Sequence, residues 1–289
     1  MPTESTYTLT TTYTPGATPL IKGAPPLPTC KFSLLSCFII ESTLLVVFNA
    51  ADWPALDKSP DVNSSEVQEW MKELDGYNIP DIATTDGTCG GSPQAAANAA
   101  QNGWWTCGHY TRSTDIVECP TKMTWGSTFD DGPSLWTPKL LNFLKAHNLN
   151  TTFFAVGSRV VEYPPILVEE YMSGNEIAVH TWSHPAMTSQ TNAQIVAELG
   201  WTRKAIQAVL GVTPVYWRPP YGDIDDRVRA IALAMGLVAV LWTTPPNGGL
   251  PFDTNDWMVA GGLVSSVSSY ETFESILSNA TTLNTGYDF

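Results

Sequence analysis

The stretch Ser127-Thr128-Phe129-Asp130-Asp131-Gly132-Pro133 is the most informative part of the chain, because two adjacent carboxylates follow an apolar, strand-like run at a Gly-Pro turn. Carboxylates forced together repel each other unless a cation lies between them, and a divalent metal is the usual cation. The simpler interpretation is an acidic turn, since Asp, Gly and Pro are residues that turns prefer. The partners that favour a metal site come later in the chain, at His180 and His184.

Working outward from this stretch, strand-like and helix-like segments alternate from Met123 onward. Strands are predicted near 123–128, 151–156, 176–179, 215–217 and 237–242, and helices near 136–147, 164–173, 192–210, 226–235 and 267–279. Such alternation predicts parallel strands covered by helices. Asp130, His180 and Arg218 each follow one of the strands. In (β/α) barrels these positions meet at one rim, where the chemistry is located.

The segment His180-Thr181-Trp182-Ser183-His184 places two imidazoles four residues apart in a chain with only 4 histidines. The alternative is a pair of ordinary surface or core histidines. With Asp131, two imidazoles and one carboxylate make a three-ligand set that leaves one position open, which is typical of a catalytic zinc. Ligand type alone also permits iron, cobalt or nickel.

Composition limits the class of protein. The chain has 289 residues, 43% of them hydrophobic, which allows one large barrel with an appended segment or two ordinary domains. A net charge of −14 argues against nucleic acid as a partner. Few charged residues (15%) and many aromatic ones (11%) suit an extracellular protein that handles neutral carbohydrate.

Three segments are predicted upstream of the alternating region. Residues 1–31 are Thr- and Pro-rich, which is typical of a disordered tail. Residues 32–51 form an apolar run interrupted by Glu41, which favours a signal peptide or membrane anchor, with a buried segment as the alternative. Residues 52–120 are polar and rich in Pro and Gly, which predicts an extension without its own core, containing a short helix over 65–74.

Cysteines and sequons indicate the compartment. The 5 cysteines lie at positions 30, 37, 89, 107 and 119. In an oxidising compartment we expect a bridge within Cys89, Cys107 and Cys119, although sequence does not determine the pairing. The sequons at Asn63, Asn150 and Asn279 would carry glycans if the chain enters the secretory pathway.

Four segments, in order, resemble the first four motifs of the carbohydrate esterase family 4 polysaccharide deacetylases, the NodB homology domain. These segments are Thr128–Pro133, His180–His184, Arg218-Pro219-Pro220-Tyr221-Gly222 and Asp253-Thr254-Asn255-Asp256-Trp257. Upstream, Ala51-Asp52-Trp53-Pro54 and Gly103-Trp104-Trp105-Thr106-Cys107 are similar to fungal chitin deacetylases. The resemblance implies an α/β fold, a distorted (β/α) barrel of the polysaccharide deacetylase type over 121–289, with an irregular N-terminal extension.

The resemblance also implies roles for the site residues. Asp131, His180 and His184 would bind a divalent metal, Zn²⁺ or alternatively Co²⁺. Asp130 would be the general base that takes a proton from the attacking water. The metal and the backbone N–H of Tyr221 would stabilise the oxyanion.

Further roles follow from the same resemblance. Arg218 would hold Asp130 by a bidentate ion pair. Pro219, Tyr221 and Trp257 would contact the substrate, with Trp257 as an apolar wall, although a plain core tryptophan is the alternative. Asp256 would tune a catalytic acid.

The chain departs from the family pattern at that acid. The family's fifth motif supplies a histidine that protonates the leaving amine, but no histidine follows His184. The chain ends at Phe289, where the family would run its last strand, so we expect a C-terminally truncated barrel that lacks this strand and has an open seam. Loss of the acid is typically worth roughly 10² to 10⁴ in rate. We do not expect His109 or His147 to replace it.

The function implied is a metal-dependent chitin deacetylase, a hydrolase that converts N-acetylglucosamine residues of chitin or chitooligosaccharides to glucosamine and acetate. Secretion, with cell-wall or membrane association, is expected. The alternative is a truncated, catalytically impaired relative that binds metal and cell-wall polysaccharide without turnover. Acetyl groups of xylan or peptidoglycan remain alternative substrates.

Overall fold

The computed structural model describes residues 50–244, 252–278 and 287–288. The predicted tail 1–31, the apolar segment 32–51 except its last two residues, Cys30, Cys37 and Asn279 lie outside the described residues. Two compact units are present. One contains 50–115 and Thr128–Val240, and the other contains Ile116–Ser127 with the described residues from Leu241 onward.

Strands alternate with helices along the described chain. The strands are β1 (Trp125–Gly126), β2 (Thr128–Asp130), β3 (Thr152–Ala155), β4 (Glu176–Val179), β5 (Tyr216–Trp217), β6 (Val238–Ala239) and β7 (Tyr287–Asp288). The α-helices are Ser65–Trp70, Pro93–Ala97, Ala99–Asn102, Thr137–Ala146, Gly157–Glu162, Pro164–Met172, Asn192–Leu210, Asp226–Ala234 and Ser266–Ser278. Short 3-10 helices are Ala50–Asp52, Met71–Leu74, Trp105–Cys107, Met187–Ser189, Pro220–Gly222 and Asp256–Met258.

The first unit contains a parallel sheet in the order β2-β3-β4-β5-β6. The predicted parallel strands covered by helices are therefore confirmed. Asp130 is the last residue of β2, His180 follows β4 and Arg218 follows β5. Because the strands are parallel and each is hydrogen-bonded to the next, these three positions lie at the same edge of the sheet.

The helix Asn192–Leu210 has clear start and stop signals in the sequence. Thr191 and Gln194 form a capping box at its start, and Gly211 follows its end with a φ of 70°. Most of its side chains are buried, so it is a core helix rather than a surface one. One of the buried side chains, Glu198, is ionisable, and its exposed fraction is 0%.

The N-terminal extension packs as part of the first unit. Val67 and Trp104 are buried, and Cys89 and Cys107 form a disulfide with Cα atoms 5.7 Å apart. The structure thus selects one of the pairings that the sequence left open. Trp53 stacks on Trp182 with ring centroids 6.3 Å apart, so the extension contacts the segment between the two histidines of interest.

In the second unit, β1 pairs with β7 in parallel, with Trp125 opposite Tyr287. The Trp125 ring also contacts Phe273 of the helix Ser266–Ser278, with centroids 4.4 Å apart. A short strand therefore follows the last helix, in the region where the sequence predicted that the last strand was lacking. Among the described helices, none combines the length and apolar character needed to cross a membrane.

A buried carboxyl in the first unit leads to a prediction on pH and stability. Glu170 lies on the helix Pro164–Met172, and neither carboxyl oxygen has a hydrogen-bond partner in the part of the chain that the structure describes. Burial raises the pKa of Glu170 from 4.5 to about 8. The folded protein therefore keeps a proton on Glu170 at pH values where the unfolded chain has lost it. The stabilisation that this proton provides is complete below the unfolded pKa of 4.5, and it disappears as the pH rises through about 8.

We expect Glu170→Gln to reduce the fall in unfolding free energy between pH 5 and pH 8. The slope that one such group contributes is up to ~1.4 kcal/mol per pH unit. Urea unfolding of both proteins at several pH values measures it. Equal slopes for the two proteins would contradict this account of Glu170.

Candidate metal and catalytic site

Three potential metal ligands converge at the carboxyl ends of the strands. Asp131 Oδ1 lies 3.4 Å from His180 Nε2 and 3.1 Å from His184 Nε2. The ligand atoms of the three residues all lie within 4.8 Å of one another. Strand order explains the convergence, because β2 and β4 flank β3 and end at the same edge.

Each imidazole is oriented through its other ring nitrogen. His180 Nδ1 lies 2.7 Å from the carbonyl oxygen of Arg218, and since a carbonyl only accepts, this nitrogen carries the hydrogen. His184 Nδ1 lies 3.2 Å from the Tyr221 hydroxyl. Both Nε2 atoms are thereby directed at Asp131, which is how metal-binding histidines are commonly held.

The three donors fit a divalent cation. Ligands at 2.0–2.1 Å in a tetrahedral shell are separated by roughly 3.3 Å, close to the two separations that the structure shows. Contacts with His180, and then with His184, hold the pKa of the Asp131 carboxyl well below its usual range. The side chain of Asp131 is 71% exposed, so solvent or substrate has access to the site.

The backbone adopts the left-handed region at four positions of the site. The φ angles are 70° at Asp131, 64° at Thr181, 60° at His184 and 59° at Tyr221. Such a conformation costs roughly 1–2 kcal/mol for a residue with a side chain, so it persists only where the surroundings enforce it. None of the four is glycine, although Asp and His adopt this region more often than most other residues.

Asp130 lies beside the ligand trio. Its Oδ1 accepts a hydrogen bond of 3.0 Å from Arg218 Nη1, and its Oδ2 is 3.9 Å from His180 Nε2. The contact with Arg218 uses one nitrogen, which differs from the predicted bidentate pair. Nη1 also donates to Thr128 Oγ1, and Nε donates to the carbonyl oxygen of Val240.

Arg218 is nearly fully buried, and its guanidinium lies 4.2 Å from the centre of the Phe154 ring. This packing leaves the guanidinium little freedom. Pro219 is buried, whereas the Tyr221 side chain is 65% exposed. Of these two predicted substrate contacts, therefore, Tyr221 is accessible to a ligand in solution and Pro219 is not.

The structure also describes the surroundings of the other predicted residues. Asp256 and Trp257 belong to the second unit, where Asp256 Oδ1 accepts a hydrogen bond of 2.7 Å from Thr254. The Trp257 side chain is 65% exposed, so the alternative of a plain core tryptophan is wrong. His109 contacts the Trp105 ring, and His147 contacts the Phe143 ring.

Sequence reasoning missed Asp223, a buried carboxylate two residues after Tyr221. Asp223 Oδ1 accepts from Trp104 Nε1 at 2.7 Å and Thr106 Oγ1 at 2.6 Å. Asp223 Oδ2 accepts from the Thr188 N–H at 2.8 Å and from its hydroxyl at 2.7 Å. One carboxylate thus joins the turn at Tyr221, the segment after His184 and the disulfide-bonded extension. Glu198 was missed as well.

Comparison with known proteins agrees with this geometry. A family model described as polysaccharide deacetylase matches residues 118–240. Chitin deacetylase 1 of Cryptococcus neoformans var. grubii is 52% identical over 289 residues, covering 99% of this chain and 58% of that protein. Residues 118–240 are therefore a polysaccharide deacetylase domain.

Other polysaccharide deacetylases are more distant. The chitin deacetylase of Amylomyces rouxii is 36% identical, over 84% of this chain and 59% of that protein. The peptidoglycan N-acetylglucosamine deacetylase Bc1960 has a solved structure that aligns with a TM-score of 0.51 and 28% identity, over 61% of this chain and 75% of that one. The chain spans about three fifths of the length of the two curated relatives. The parallel-strand sheet with its helices agrees with the (β/α) barrel type of fold that the motifs implied.

Proposed function

We propose that this chain is a metal-dependent chitin deacetylase, which hydrolyses the N-acetyl groups of N-acetylglucosamine residues in chitin to give chitosan and acetate. The observation that carries the proposal is the placement of Asp130. It lies next to an Asp-His-His trio that fits a metal, and its carboxylate accepts a hydrogen bond from Arg218. The 52% identity to a chitin deacetylase favours chitin over other acetylated polymers.

Asp131, His180 and His184 would hold the cation, with Zn²⁺ proposed and Co²⁺ compatible with the same donors. When bound, the cation supplies Lewis-acid polarisation of the acetyl carbonyl and lowers the pKa of water. Asp130 accepts the proton of the water that attacks the acetyl carbon. Arg218 keeps the Asp130 carboxylate in place during this transfer, because its guanidinium is fixed by Thr128 and Val240.

Completion of the reaction breaks the bond between the acetyl carbon and nitrogen, and the departing amine takes up a proton. We propose that Asp130 returns the proton that it accepted. The backbone N–H of Tyr221 is proposed as a donor to the oxyanion, and the exposed Tyr221 ring as a sugar contact. Asp256 and Trp257 have no assigned role in these steps.

The second candidate is a catalytically impaired relative that binds metal and cell-wall polysaccharide without turnover. For either candidate we propose secretion with cell-wall or membrane association. We also propose 121–289 as the deacetylase domain and 52–120 as its extension. Chitin or chitooligosaccharides are the proposed partners.

Acetate release separates the two candidates. Purified protein is incubated with acetylated chitooligosaccharides in Zn²⁺, in a chelator, and in chelator followed by excess Zn²⁺, with Asp130→Asn as the inactive control. We expect acetate that disappears with chelation and returns with metal. If zinc binds but acetate does not exceed the control, the impaired relative is correct. Acetate released only from peptidoglycan or xylan would overturn the assignment of chitin.

A further inference from the structure

A buried carboxylate lies beneath the segment that carries both histidines. Glu198 comes from the helix Asn192–Leu210 and is completely inaccessible to solvent. Its Oε2 accepts from the backbone N–H groups of Trp182 and Ser183, both at 2.8 Å, and its Oε1 accepts from Ser183 Oγ at 2.7 Å. The donors belong to two of the three residues between His180 and His184.

These hydrogen bonds act on a backbone in an unfavourable conformation. Thr181 and His184, on either side of the two donors, both have φ angles near 60°. The Thr181 hydroxyl accepts from the His184 N–H at 3.0 Å, which closes the turn locally. Inward-facing N–H groups of a buried turn cost free energy when they are unpaired, so the turn requires an acceptor at the position of Glu198.

Neighbouring contacts keep the other sides of the turn in place. The Trp182 carbonyl accepts from Ser158 Oγ at 2.5 Å, and Trp182 Nε1 donates to the carbonyl oxygen of Ala55 at 3.1 Å. Burial raises the pKa of the Glu198 carboxyl, and the hydrogen bonds from Ser183 and Trp182 oppose that shift. Glu198 is therefore part of a packed support in which the turn has one arrangement.

We infer that Glu198 is the positioning residue of the metal site: its carboxylate holds the turn 181–183 so that His180 and His184 direct both Nε2 atoms at one point. Glu198 has no contact with the ligand atoms among the described residues and acts through the backbone of the turn. The inference rests on the proposed metal-dependent function, and it concerns metal affinity rather than turnover.

Glu198→Gln tests the inference with little change in shape. Both carboxylate oxygens of Glu198 accept hydrogen bonds, whereas glutamine has one oxygen and one NH₂ group. The NH₂ group faces N–H or O–H donors and cannot accept from them, so the hydrogen bonds to one of the two positions are lost. Loss of an outer contact to a metal ligand typically lowers metal affinity by about 10- to 100-fold, and we expect a change of this size for Zn²⁺. Glu176→Gln is the matched control, because Glu176 is also buried but begins β4, at the opposite end from His180.

Zinc affinity is measured by competition with a chromophoric chelator, and the visible spectrum of the Co²⁺-loaded protein reports ligand geometry. Urea unfolding of the metal-free proteins reports stability. We expect weaker zinc binding and an altered Co²⁺ spectrum in Glu198→Gln, and wild-type values in Glu176→Gln. Wild-type zinc affinity in Glu198→Gln, or equal losses in both variants, would overturn the inference, as would wild-type protein that binds no zinc.

Ser183→Ala provides a second variant if Glu198→Gln does not fold. It removes the hydroxyl donor to Oε1 and leaves both backbone donors, so we expect a smaller loss of zinc affinity, roughly 3- to 10-fold. Unchanged affinity in this variant would count against the inference. Wild-type protein that binds zinc but releases no acetate would overturn the proposed function and leave the assignment of Glu198 standing.

Discussion

Replacing His184 with alanine should abolish tight zinc binding. The substitution removes one of three donors whose atoms lie within 4.8 Å of one another, and the remaining carboxylate and imidazole cannot complete the set. Loss of an outer contact alone lowers metal affinity by about 10- to 100-fold, so loss of a ligand should exceed ~10²-fold. Metal content after dialysis, together with competitive titration, measures the change.

The matched control for this substitution is His147→Ala. His147 is exposed and follows the helix Thr137–Ala146, which is roughly 15 Å long and separates it from the Asp-Asp-Gly-Pro turn. The control should keep full zinc content. Stoichiometric zinc in His184→Ala would show that the trio is not the metal site, whatever the control does.

Asp130→Asn should reduce kcat for chitooligosaccharide deacetylation by roughly 10² to 10⁴, the usual contribution of a general base. Asparagine has nearly the same shape and can still accept from Arg218, but it cannot take up the proton of the attacking water. Zinc content should stay at the wild-type value, because the separation of Asp131 from both imidazoles does not depend on Asp130. Initial rates of acetate release and metal analysis of the same samples test both expectations.

The exposed carboxylate Asp81 supplies the matched control, and Asp81→Asn should have wild-type kcat and zinc content. Two results would remove Asp130 from the role of base. One is a kcat within a few-fold of wild type, and the other is a loss of zinc that accounts for the loss of rate. Retention of zinc without turnover separates the chemical step from metal binding, which the His184→Ala variant does not do.

Local sequence patterns predicted the main elements closely. The helix expected over 192–210 is present as Asn192–Leu210, because a capping threonine and a following glycine mark its ends. The helix Gly157–Glu162 was not predicted, since it is short and has no side-chain cap. Short helices of this kind depend on packing more than on propensity.

Contacts between distant positions were less accessible to prediction. The bridge between Cys89 and Cys107 was one of several pairings that the sequence allowed. The ion pair of Arg218 with Asp130 was expected, but its geometry was not, because Thr128 and Val240 take two of the guanidinium donors. Competition among acceptors is set by packing and cannot be read from the spacing of motifs.

Sequence by itself therefore determined the parallel arrangement and the set of side chains at one edge of the sheet. This follows because residues after the strands of a parallel sheet meet at its carboxyl end, and Asp130, His180 and Arg218 occupy such positions. Only the tertiary structure decided which contacts hold those side chains in their positions. Glu198, which is 15 residues after Ser183 on the helix Asn192–Leu210, supports the histidine turn through backbone hydrogen bonds that leave no pattern in the sequence.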